Sequence, residues 1–90
     1  MTKNLSRDEI IETILKERSR QMDLPRTEFD ALKTPNEWTS IVGHYLFEMA
    51  TRGGDTPSEE IFLDNMTKAS AVLIALIEHI PDMKENGYLK

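Results

Sequence analysis

The densest chemistry in this sequence is Lys16-Glu17-Arg18-Ser19-Arg20-Gln21. Positions 11, 14, 18 and 21 share one face of a helix, so Arg18 and Gln21 extend the stripe begun by Ile11 and Ile14. A guanidinium at a core edge needs an acceptor, which is either a ligand phosphate or a carboxylate such as Glu48 or Glu78. Lys68 stands just before an apolar run. Its ammonium can snorkel to solvent, or it can meet the Arg18 cluster in a pocket between helices.

Other chemistries find less support. His44 and His79 are lone histidines on separate segments, a pattern more typical of surface or core-edge residues than of metal ligands. Gly53-Gly54 follows an expected helix rather than a strand, so it reads as a helix end and not as a phosphate loop. Ser, His and Asp are present, but no spacing places them as a triad. The chain has no cysteine, which removes disulfides and thiolate zinc sites. Sixteen acidic and 11 basic residues leave a net charge of −5, which argues against general nucleic-acid binding. The polar Met1–Ser6 opening carries no signal-peptide core, and the apolar run from Ala69 to Ile77 is too short to span a bilayer. A cytoplasmic protein without a membrane partner is expected.

Ninety residues make one domain, expected over 1–80 with a polar tail at 81–90. Three helices must position the cations. Ser6-Arg7-Asp8-Glu9 is a capping box that opens helix 1, at about 7–22. Residues 23–33, with Pro25, read as a loop holding at most one short turn around 27–32. Thr34-Pro35-Asn36-Glu37 opens helix 2, at about 35–52, whose stripe is Trp38, Ile41, Val42, Tyr45, Leu46 and Met49. Thr56-Pro57-Ser58-Glu59 opens helix 3, at about 57–80, with Pro81 beyond its end. The fold class is therefore all-α.

Helix 3 is apolar nearly all round. Phe62, Met66, Ala69, Leu73, Leu76, Ile77 and Ile80 form one stripe, while Leu63, Val72 and Ile74 lie elsewhere on the cylinder. Two other short helices have little surface with which to cover both, so a homo-oligomeric bundle joined through helix 3 is expected. The loop and tail covering the second face is the alternative.

Three segments resemble the MazG-like all-α nucleoside-triphosphate pyrophosphohydrolases and their small phage and prophage relatives. Ile14–Gln21 looks like their "ER-x-RQ" opening, Trp38–Gly43 like their "W-x-x-I-L" second helix, and Asn65–Glu78 like their closing "L-V-K-A-A-A-L … A-x-I-E" helix. The resemblance spans residues 11–80 and implies a three-helix domain. It also implies five magnesium-binding carboxylates, and here those positions hold His44, Tyr45, Glu48, Asn65 and Lys68. Glu48 alone survives as a metal-ligand candidate, and Lys68 places an ammonium where the metal would sit. The resemblance so implies nucleotide or nucleotide-messenger binding with little or no hydrolysis and no cofactor, in a phage context where such a protein could sequester a host-defence signal. Arg18, Arg20 and Lys68 are then expected to hold phosphate, with Tyr45 and Trp38 stacking on a base. Two other readings stand beside it. One is an acidic helical inhibitor that covers a basic channel on a host protein complex by charge mimicry. The other is a metal-dependent pyrophosphohydrolase with its acids regrouped among Glu48, Asp55, Glu59, Glu60 and Asp64.

Overall fold

The computed structural model describes residues 4–52 and 54–90, and these are all-helical. Gly53, half of the expected Gly-Gly helix end, lies outside the described residues, as do residues 1–3 of the polar opening. Gly54 adopts φ 107°, the left-handed conformation that glycine tolerates without a Cβ clash.

Local capping chemistry sets the helix starts. Helix α1 spans Arg7–Met22, where Ser6 Oγ accepts from the Glu9 amide at 3.1 Å and the Glu9 carboxylate accepts from the Ser6 amide at 3.2 Å. Helix α2 spans Pro35–Gly43 behind the same reciprocal box of Thr34 and Glu37. Each such cap contributes about 1 kcal/mol. Helix α3 begins later than the sequence suggests. Ser58 rather than Thr56 caps it, accepting from the Ile61 amide at 3.2 Å, so α3 spans Glu59–Glu78. Glu59 and Glu60 then occupy its first turn, where they complement the helix dipole.

Two further departures matter for the site. Helix 2 does not continue as an α-helix to residue 52. From His44 to Met49 it widens into a π-helix, in which the Ala50 amide donates to Tyr45 O at 3.0 Å. This turn sets Tyr45 and Leu46 against the core and leaves Phe47 exposed. The segment beyond Pro81, expected as a polar tail, instead carries helix α4, Ile80–Glu85. Proline cannot continue the α3 hydrogen-bond ladder, yet it fits the first turn of a new helix. Met83 then enters the core at 2% exposure. Asn86 Nδ2 donates to Ala31 O at 3.0 Å and ties this end to a 3₁₀ helix over Thr27–Leu32.

Helix α3 packs against both α1 and α2. The core cluster is Trp38, Val42, Ala69, Val72, Ala75 and Met83, with Ile41, Tyr45, Leu46 and Leu76 against it. Val72, expected off the core stripe, lies at its centre. The small side chains of Ala69 and Ala75 let α2 approach α3 closely, so the alanine face turns inward and the bulkier face does not. Among the described residues no helix is long and apolar enough to cross a membrane.

Docking of α4 through Met83 should be measurable in urea unfolding followed by circular dichroism. Met83→Ala is expected to cost about 2–5 kcal/mol, as for a buried methionine truncated to alanine. Leu32→Ala, at an exposed position, should stay within about 0.5 kcal/mol. Equal and small effects at both positions would mean that α4 is not part of the folded core.

Candidate functional site

A cavity of about 180 Å³ opens where the end of α1, the Leu24–Lys33 segment, α2 and α3 meet. Arg18 comes from α1, Arg26 and Lys33 flank the 3₁₀ helix, and Asp30 lies within it. Trp38, Ile41, Tyr45, Val72 and Ala75 supply the apolar wall. Of the five residues expected to bind ligand, the fold brings together Arg18, Trp38 and Tyr45 at this cavity.

Each cation here has a distinct state. The Arg18 side chain is 12% exposed, and its Nε and Nη2 both donate to one oxygen of Glu78, at 2.9 and 2.8 Å. This settles its carboxylate partner as Glu78 rather than Glu48. A guanidinium has five N–H donors, so others remain for a further acceptor. Lys33 pairs with Asp30, and its Nζ lies 5.0 Å from the Trp38 ring centroid, within cation–π range. Arg26 has no ion-pair partner among the described residues. Its backbone sits at φ 75°, ψ 8°, a left-handed conformation that costs an L-residue about 1–2 kcal/mol. The Phe29 amide donates to Arg26 O at 3.0 Å, so Arg26 also starts the 3₁₀ helix.

Trp38 is 3% exposed, and its indole stacks on the His79 ring at 5.5 Å between centroids. His79 Nδ1 is in turn 2.8 Å from Asp82 Oδ2. The indole Nε1 is buried and has no hydrogen-bond partner among the described residues. Trp38 is thus the wall of the cavity and a core residue, while half-buried Tyr45 is the more accessible aromatic.

Arg20 and Lys68 lie outside this cavity. Arg20 grips Glu17 through two bonds, at 2.8 and 2.7 Å, and opens onto a separate shallow groove with Asp64 and Glu60. Lys68 pairs with Asp64 at 2.8 Å, one helical turn away. Gln21, buried between the helices, donates to Glu17 at 3.0 Å and to Lys68 O at 3.3 Å, which links α1 to α3. The bond from Arg20, with further help from Gln21 and Lys68, holds the Glu17 carboxyl below its ordinary range. The Asp64 partner holds the Lys68 ammonium above its own.

Four of the positions that the resemblance implies as metal ligands have hydrogen-bond or ion-pair partners of their own, Lys68 with Asp64 among them. Glu48 pairs with His44 at 3.0 Å. Asn65 is buried and donates to Ile61 O at 2.9 Å. Among the described residues no three His, Cys, Asp or Glu side chains gather into a group that could hold a metal ion.

A depressed carboxylate contributes stability that is present above its unfolded pKa and is lost as pH falls through the folded value. Glu17 should therefore add to acid unfolding at and below its ordinary value of 4.5. Glu17→Gln is expected to be less stable than the parent at pH 7, with the two urea midpoints converging toward pH 3. Parallel midpoints from pH 7 to 3 would show that the Arg20 bond adds nothing to folding.

Compared with protein-family models, with curated proteins and with solved structures, the chain matches none.

Proposed function

We propose that this chain binds a small phosphorylated ligand, a nucleotide or a nucleotide-derived messenger, and holds rather than hydrolyses it. The phosphate would lie in the cavity beside Trp38, and the protein would act as a self-associated helical assembly. One observation carries this reading: Arg26, a cation with no ion-pair partner among the described residues and a strained backbone conformation, lines the same cavity as Arg18 and Lys33. Strain in a non-glycine residue that also supplies a free charge points to a use for that charge. Two of the three cations are already partly neutralised, by Glu78 and Asp30, which leaves the site weakly positive inside an acidic protein.

The size of the cavity sets what can enter. Complete drug-sized ligands fill about 300–1,000 Å³, and 180 Å³ is smaller. In this reading the cavity receives the phosphate end, Tyr45 meets the neighbouring ring or sugar, and the rest of the ligand extends outward. Arg20 and Lys68, expected from the sequence to share the task, are assigned instead to ion pairs within their own helices, with Glu17 in α1 and Asp64 in α3.

Charge-assisted hydrogen bonds contribute about 1.5–3 kcal/mol each, so losing one should weaken binding about ten- to a hundredfold. The test is calorimetric titration with nucleoside triphosphates and cyclic dinucleotides, after native mass spectrometry of the freshly isolated protein for any carried ligand. Arg26→Gly removes the cation and relieves the left-handed strain, so it should weaken binding while leaving thermal stability equal or higher. Lys68→Ala should leave affinity within about twofold. Unchanged affinity in Arg26→Gly, or a larger loss in Lys68→Ala, would contradict the site.

A further inference from the structure

Helix α3 is covered where it meets α1 and α2, and Asn65, Ala69, Ala71, Val72 and Ala75 are buried there. A further apolar strip is left open: Phe62 and Leu73 are each 43% exposed and Ile77 is 62% exposed, with half-buried Met66 between them, beside Ile10 and Ile14 of α1. Those four residues are spaced by four, seven and four positions, symmetrically about Ala69 and Ser70. The stripe reads the same in both directions, with Phe62 and Ile77 at its ends and Met66 and Leu73 inside them.

An interface between two copies related by a twofold axis must be self-complementary, each residue meeting its mate across the axis. A symmetric stripe meets that requirement when a second α3 runs antiparallel. Phe62 of one copy then faces Ile77 of the other, Met66 faces Leu73, and the twofold axis passes between the levels of Ala69 and Ser70. We infer that this face of α3 is the contact between two copies of the chain, paired antiparallel in this register. The inference rests on the self-association in the reading above and not on the cavity.

Surface area supports the same occupant. A compact monomer of 10.4 kDa exposes about 5,400 Å² by the usual scaling with mass. This chain exposes 6,728 Å². The excess, about 1,300 Å², exceeds the roughly 800 Å² that each partner contributes to a standard stable interface. The Cα radius of gyration, 14.5 Å, is likewise above the roughly 12 Å expected of a chain this long. A protomer this open has the surface that a dimer needs, and α3 presents part of it in a self-matching order.

The chain has no cysteine, so introduced ones report without interference. Phe62→Cys and Ile77→Cys, co-expressed and mildly oxidised, should give a disulfide-linked dimer. Either variant alone should not, because its two thiols would sit at opposite ends of the antiparallel pair. Light scattering at about 100 μM should show a dimer or larger for the parent chain and a smaller species for Ile77→Glu, with helical circular dichroism retained. A monomeric parent would overturn both this inference and the self-association above. A parent assembly that survives Ile77→Glu intact, with no mixed disulfide, would overturn the α3 pairing alone. A disulfide in Phe62→Cys alone would overturn the antiparallel register.

Discussion

Burial of the Trp38 indole is the contact on which both the fold and the candidate site depend. It is the largest side chain in the core, and it belongs to the cluster formed by α2, α3 and α4. Around it the core is mostly small: Ala69, Ala75, Val42 and Val72. Full burial of an aromatic side chain is worth about 1.5–3 kcal/mol relative to exposure, a large share of the stability of a domain this size. The same ring forms the wall of the cationic cavity, stacks on His79 and lies beside Lys33. Anything that loosens the ring therefore disturbs the arrangement of Lys33 and, through α4, the closing end of the chain.

The helix starts were legible because capping is local. Ser6 with Glu9 and Thr34 with Glu37 each satisfy backbone amides within four residues, and no tertiary contact is needed to decide them. Thr56 is the cap expected at the third start, and the structure places the cap two residues later, on Ser58. The helix after Pro81 was hidden for a different reason. A proline that ends one helix can sit in the first turn of the next, and of the three apolar residues beyond it, Met83, Tyr88 and Leu89, the fold buries Met83. The inner face of α3 could not be read from hydrophobicity, because both faces are apolar. Close approach to α2 decides it, and that favours the alanine side.

The site divides along the same line. Arg18, Trp38 and Tyr45 lie on helical stripes whose spacing can be read, and they do meet. Arg26 and Lys33 lie in a segment without periodicity, where only the turn-forming Pro25 hints at a fixed conformation. The two expected cations that lie outside the cavity carry a readable warning. Arg20 follows Glu17 by three residues, and Lys68 follows Asp64 by four, spacings at which helical side chains pair. A cation with a carboxylate one turn before it is more readily neutralised within its own helix than committed to a ligand.

Phosphate entering the cavity beside Trp38, as proposed, would be reported by a probe built into the chain. Trp38 is the only tryptophan in the sequence, so intrinsic emission reports on that wall without labelling. Titration with inorganic pyrophosphate and triphosphate, which do not absorb in the tryptophan range, is the most direct measurement. A saturable change in emission is expected, one that weakens with added salt and is reduced in Arg26→Gly. Emission that stays flat into the millimolar range of both anions, from a folded protein, would contradict it.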